Sequence, residues 1–412
     1  MHDKFPGTAL RKRTFAALAF PNYRLWFFGQ MTSLFGTWMQ STAQGYLVYE
    51  LTHSEAYLGY VGFASGVASW VFMLYGGALA DRIPRRRLLV VTQTASMVPA
   101  VALSVLTFTH VVAPWHIVVL AFVLGIVNAF DAPARQSFVL EMVDRPVLTN
   151  AIALNSMMFN VAMAVGPAIG GISYALFGPG WCFAINAVSF IAVIAALLAM
   201  RLADAPPPVR TSGTFNDISS GLRAVVADRR ILAIMILMGV ESLFGNAFTT
   251  LMPAWAVQVL HGDASTNGFL QSARGLGALT SALVIASLSY RKFKGKLMTI
   301  GSFIFPIFIV LFSLTRSTTF SLLTLLGVGA FNIVVNNLAN SLVQTMTPDE
   351  LRGRVMAIYM LTFFGFGPIG SLLAGAAATA IGVPLTVALG ACGMLACAVA
   401  IVAAVPSLRR LQ

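Results

Sequence analysis

The sequence predicts an all-α membrane protein whose twelve transmembrane helices form two pseudo-symmetric six-helix bundles. Three observations predict it: a composition too apolar for a water-soluble fold, a series of apolar runs each long enough to cross a bilayer, and an internal repeat. Of the 412 residues, 58% are hydrophobic and 10% charged, and the mean hydropathy is +0.82. A soluble domain carries about 25% charged residues.

The apolar runs fall at approximately 25–51, 57–80, 88–109, 115–138, 150–176, 181–200, 231–258, 266–289, 297–315, 318–345, 355–380 and 384–405. Each reaches about the 20 residues that cross a hydrocarbon core roughly 30 Å thick. In lipid a spanning segment must satisfy its own backbone hydrogen bonds, and the runs are too long for barrel strands, so all are expected as helices. The expected units are an N-terminal tail (1–24), an N-terminal six-helix bundle (25–200), a linker (201–230), a C-terminal six-helix bundle (231–405) and a short tail (406–412).

Charge sets the orientation. Of the 26 Lys and Arg residues, 24 lie in the tails or in the even-numbered connections and their edges; Arg274 and Arg316 are the exceptions. Cationic loops stay cytoplasmic, so both termini are expected inside a multi-pass cell-membrane protein, the inner membrane if the source is Gram-negative. The net charge of +12 is then a topology signal, spread over short loops. It does not make a nucleic-acid surface. The bilayer is the expected partner and a monomer the expected state.

No secretory signal is evident, because the apolar run after residues 11–13 is too long for a cleaved segment. Cys182, Cys392 and Cys397 sit in apolar runs without metal-like spacing and read as small hydrophobes. Neither a metal nor a cofactor is expected. There is no His-Glu-x-x-His, phosphate loop or Gly-x-Ser-x-Gly, so the chain does not read as an enzyme.

Shifting the chain by 209 residues overlays 76–90 on 285–299 without a gap, placing Arg82 on Arg291, Arg85 on Lys294 and Arg87 on Lys296. "GPAIGG" (166–171) likewise has a counterpart in "GPIGSL" (367–372). Between the halves, "RLADAPPPVRTSG" is ill-suited to lipid. After it, Phe215, Ile218, Leu222, Val225 and Val226 recur at helical spacing, which predicts a short helix lying along the membrane interface. Two parallel halves joined by an inside loop describe a transporter whose bundles rock about a central site.

The connection between runs 2 and 3, "GGALADRIPRRRLL", resembles the loop motif of the major facilitator superfamily. Gly77, Leu79, Asp81, Arg82, Arg85 and Arg86 match, and Pro84 stands where glycine is usual. With "NAFDAPARQSF" (128–138) and "GPAIGG", the pattern from about residue 20 to 406 resembles the bacterial branch of enterobactin exporters and macrolide efflux proteins. The resemblance implies that Asp81 latches the halves on the cytoplasmic side, with Arg135 as a candidate partner. Simple topology is the alternative, and Tyr290 at the matching position makes any latch one-sided. Gly166, Pro167, Gly170 and Gly171 resemble an antiporter element, which implies export; Ala153 and Ala162 depart from it.

Polar stripes mark four runs. Run 1 carries Gln30, Ser33, Thr37, Gln40, Ser41 and Gln44; run 4 carries Asn128, Asp131 and Arg135. Run 7 carries Glu241, Ser242, Gly245, Asn246, Thr249 and Thr250; run 10 carries Asn332, Asn336, Asn340 and Gln344. At helical spacing each stripe shares one face, and the resembled fold places these four helices around its central cavity. Hydrogen bonding between helices is the alternative.

A charge in the bilayer is a functional hypothesis by default. Glu241 lies on the order of 15 Å into its run at 1.5 Å per residue, where hydrocarbon penalises its charged form, so it is the candidate proton-coupling residue with Asp131 second. A permanent Glu241–Arg274 pair and contact with a cationic substrate are the alternatives. Trp38, Phe244, Phe248 and Phe331 lie on or near the stripes and suit a bulky amphiphile. Trp26 and Trp255 read as interfacial or packing aromatics. The expected function is proton-coupled export of a bulky amphiphilic small molecule, such as a drug, siderophore or lipid-like metabolite, by alternating access. Import or facilitated passage of a small metabolite, and a non-transporting receptor or scaffold on the same fold, stay open.

Overall fold

A computed structural model describes residues 15–80, 82–201, 214–245, 247–287 and 293–411. Asp81, Asn246, Tyr290 and most of the proline-rich linker lie outside the described residues. All regular structure among those described is helical.

The long helices are α1 (Pro21–Thr52), α2 (Glu55–Ala80), α3 (Arg85–Phe108), α4 (Pro114–Phe138), α5 (Leu148–Phe177) and α6 (Pro179–Ala199). Next comes α7 (Arg229–Val240), continued by π-helical turns at Glu241–Gly245 and Trp255–Val259 with short α segments between them. Then follow α8 (Ala264–Ser287), α9 (Lys294–Leu314), α10 (Thr318–Met346), α11 (Asp349–Ile381) and α12 (Val383–Ala404). Ten are long and apolar enough to cross a membrane. The two that miss this criterion, α1 and α8, occupy the first and eighth expected positions. Both bury amides and hydroxyls, among them Gln30, Gln40 and Gln44 in α1 and Asn267 and Ser272 in α8, which lowers mean hydropathy while pointing inward.

The repeat is visible in the backbone. Pro99 and Pro306 interrupt α3 and α9, and Pro167 and Pro368 interrupt α5 and α11. Such prolines are tolerated in membrane helices because neighbours satisfy the freed backbone groups. The Ala168 N–H, next to Pro167, donates to Ser272 Oγ of α8 at 2.8 Å.

Two seams join the halves, α5 on α8 and α2 on α11, and both depend on missing side chains. A Cβ on Gly268 would stand 2.4 Å from the Pro167 carbonyl oxygen and 3.0 Å from Gly171 Cα. A Cβ on Gly66 would stand 2.3 Å from Pro368 Cγ, and one on Gly375 would stand 2.9 Å from Gly59 Cα. The 209-residue shift that overlays the basic connections also carries Gly59 onto Gly268 and Gly66 onto Gly275.

The core is arranged asymmetrically along the membrane normal. At the end bearing the odd-numbered connections, one apolar cluster draws on both halves, including Tyr49 and Leu58 from one and Trp255, Phe312 and Val383 from the other. At the even-connection end each half keeps its own cluster, around Leu89, Phe138 and Leu197 and around Ile234, Leu342 and Val355. Polar contacts reinforce the shared end. Gln258 of α7's second π turn and Thr379 of α11 both donate to the buried Glu55 carboxylate at the start of α2.

A helix at Thr214–Ala227 precedes α7. Its Val225 is buried while Leu222 and Val226 are exposed. Asp228 then caps α7, accepting from the Arg230 N–H at 2.8 Å. The Arg230 guanidinium beside it holds its carboxyl below the usual carboxylate range.

In the loop motif, a Cβ on Gly77 would meet nothing within 4 Å among the described residues. Its neighbour Gly76 is the packing residue, since a Cβ there would lie 2.0 Å from the Ala129 carbonyl oxygen of α4. Gly76→Ala should therefore destabilise the protein by about 1–3 kcal/mol through overpacking. Gly77→Ala should be neutral or gain up to about 1 kcal/mol from helix propensity. Thermal unfolding of the purified chain checks the pair, and equal midpoints would refute the close α2–α4 approach.

Candidate functional site

The membrane interior of the second half is organised around Glu241. It opens the π-helical turn of α7 and is 4% exposed. π-Turns inside helices are rare and recur at functional positions. Two amides from α10 meet its carboxylate, Asn332 Nδ2 and Asn336 Nδ2, each donating to Oε1 at 2.7 Å. The Asn336 amide also donates to the Asn332 carbonyl at 2.9 Å, and the Tyr359 hydroxyl of α11 donates to the Asn336 carbonyl at 3.4 Å. A cavity of about 20 Å³ adjoins the carboxylate, lined by Glu241, Ser302, Phe305, Val335 and Met394 among others; it is large enough for one water molecule. Ser242 ties the same turn to α11 by donating to the Phe363 carbonyl at 2.5 Å.

Arg274 does not pair with Glu241. It is half-buried on α8, and its Nε has no hydrogen-bond partner among the described residues. Asp131 is held differently from Glu241. Its Oδ1 accepts from Thr92 Oγ1 at 2.8 Å and Gln93 Nε2 at 2.7 Å, both on α3, and Oδ2 pairs with Arg135 Nε at 3.3 Å. Asp131 and Arg135 are thus a pinned pair joining α3 and α4.

The basic motif residues brace the even-connection end. Arg85 pairs with Glu141 at 2.7 Å, and Arg86 donates to the Leu198 carbonyl at the end of α6 at 2.7 Å, where a cation also favours the helix C-terminus. Arg82 is exposed. In α5, Gly166 and Gly170 pack on Trp38 and Met39 of α1, while Pro167 and Gly171 form the α8 seam.

Other expected cavity residues are used inside their own half. Gln40 accepts from Asn186 Nδ2 of α6 at 2.6 Å, Thr37 bonds the Ser33 carbonyl, and Trp38 meets the Phe159 ring edge-on. Gln30 and Gln44 are buried, and Asn128 is exposed. Phe244 rests on Gly390 and Gly393 of α12, and Phe248 is buried beside Phe312. Asn340 pairs with Gln344 along α10. Trp26 packs on Phe138 and Trp255 stacks on Phe312. Of the expected set, the structure therefore brings Asn332 and Asn336 to Glu241 and leaves the aromatics elsewhere.

Sequence reasoning missed Tyr359, Asn186 and Glu55. Asn186 is an isolated amide in an apolar run, a usable signal; Glu55 lies just before the run that begins near 57, where an acid gives no sign of burial.

The sequence profile of the family described as "Transmembrane secretion effector" matches residues 12–411. The chain is 26% identical over 365 residues to the staphyloferrin A transporter of Staphylococcus aureus, covering 88% of this chain and 91% of that one. It is 26% identical over 362 residues to the enterobactin exporter of Shigella boydii, covering 86% and 85%. Among solved structures, a peptide transporter variant in complex with sulfate aligns with TM-score 0.78 at 14% identity, covering 94% of this chain and 95% of that one. A bacterial homologue of the lysosomal transporter Spinster, inward-facing and unoccupied, aligns with TM-score 0.69 at 13% identity, covering 98% and 97%. At these identities the structures establish the shared fold.

Glu241→Gln keeps the Oε1 acceptor and should fold as the parent does. Glu241→Leu removes the acceptor from two amides and should cost about 1–3 kcal/mol for each donor left unsatisfied. Thermal midpoints in detergent distinguish them, and equal losses would refute the Asn332–Glu241–Asn336 arrangement.

Proposed function

Because this chain belongs to the transmembrane secretion effector family of the major facilitator superfamily, we propose that the transport it carries out is proton-coupled export of a bulky amphiphilic small molecule. That the relatives above are named for siderophores supports a siderophore-like cargo. Membership makes the chain a multi-pass membrane transporter. The basic even connections support an orientation with both termini in the cytoplasm; helical spans suit an inner membrane where a bacterium has two. The 25–200 and 231–405 units would rock as bodies joined by the 201–230 linker.

One observation carries the coupling: the buried Glu241 is met by neutral amide donors and by no cation among the described residues. A carboxylate locked to an arginine must break an ion pair to take up a proton. One held by amides can accept it with a small rearrangement of Asn332 and Asn336, since an amide can turn its own oxygen toward the new O–H. Asp131, by contrast, is committed to Arg135 and suits a structural role in α3–α4. The separate clusters at the even-connection end and the shared cluster at the other support an inward-open resting form. Export then begins with substrate entering between the halves from the cytoplasm. A proton arriving at Glu241 from outside would favour the return to this form.

Purified protein in inverted vesicles checks this. Glu241→Gln should abolish uptake driven by a proton gradient while substrate exchange continues at a measurable rate; full gradient-driven activity in that variant would refute the assignment.

A further inference from the structure

Resting on that reading of the chain as an exporter of an amphiphile, we propose that the substrate is anionic and that Arg274 of α8 receives its negative group. Asn267, Gln271 and Arg274 recur at i, i+4 and i+7 and so share a face of α8. Other faces of that helix pack on neighbours or meet lipid. Gly268, Ser272 and Gly275 press on α5, and Gly277 presses on the Leu326 carbonyl of α10. Phe269, Leu276 and Leu283 on the opposite side are exposed, as lipid-facing residues should be. The stripe therefore looks into the protein, between α5 and α10.

Its polar groups are short of partners. Asn267 is 0% exposed, yet its Nδ2 has none among the described residues; its Oδ1 is taken by Gln271 Nε2 at 3.3 Å. Arg274 Nε is likewise buried and unpartnered. Within the membrane span of this half the acid available is Glu241, which is engaged by α10 amides. A guanidinium is permanently charged and only donates, and an uncompensated charge at such depth is costly. Donors without acceptors, grouped on an inward face, fit a ligand oxygen that carries negative charge, such as a carboxylate or a deprotonated catechol. A cationic cargo would meet repulsion there.

The test uses two dyes on the same xanthene ring system, anionic fluorescein and cationic tetramethylrhodamine ethyl ester, binding to the full chain in nanodiscs by fluorescence polarisation. The parent should bind fluorescein more tightly. Arg274→Gln should weaken fluorescein at least about tenfold, the scale of a lost charged hydrogen bond, and should tighten the cationic dye by relieving the repulsion. Arg274→Lys should recover part of the loss. If Arg274→Gln fails to fold, Gln271→Leu keeps the guanidinium and should weaken fluorescein about threefold, a neutral donor's share. Unchanged fluorescein binding in the variants, or preference of the parent for the cation, overturns the anion assignment alone. Binding of neither dye overturns the amphiphile reading beneath it.

Discussion

A polar group inside hydrocarbon must find its partner within the protein, and the structure is arranged by that requirement. The backbone meets it by forming helices, and the side chains meet it by choosing which helices touch. Gln40 brings α6 to α1 through Asn186, Asp131 brings α3 to α4 through Thr92 and Gln93, and Glu241 brings α10 to α7 through two asparagines. Where proline removes a backbone bond in α5, the neighbouring N–H is satisfied by a serine on the opposite half. Each link is modest alone. Together they specify neighbours that apolar packing would leave interchangeable.

The same requirement separates two buried acids that look alike in sequence. Asp131 lies beside a cation one turn away and saturates both oxygens. Glu241 has amides for company and sits in a widened turn next to a water-sized cavity. One carboxylate is neutralised by an ion pair, and the other is held by amide donors with no cation among the described residues. Arg274, whose Nε has no partner among the described residues, is the cationic counterpart of the second.

Much of the fold was legible because hydropathy and loop charge are local signals, and the repeat doubled them. Even so, α1 and α8 fall below a purely apolar criterion, since the residues that lower their hydropathy are the inward ones. The site was legible in part. The four-residue spacing of Asn332 and Asn336 fixed a face, and that face does meet Glu241. A stripe does not fix how its helix is rotated within a bundle, which is why Gln40 turns to α6. The π turn adds a second source of error: it alters the phase of α7, and Phe244 comes to rest on α12 away from the α10 asparagines. The loop motif includes Gly77 but not the neighbouring Gly76, whose close approach to α4 a loop pattern does not carry.

The shared apolar cluster at the odd-connection end has a thermal consequence. Parting the halves there brings Leu58, Trp255, Phe312 and their neighbours toward water, whereas parting them at the other end disturbs clusters already separate. Hydration of apolar surface carries a large heat capacity. In the proposed alternating-access cycle, the outward-opening step should therefore show a curved dependence of rate on temperature and become easier in the cold, while the reverse closure should gain driving force on warming.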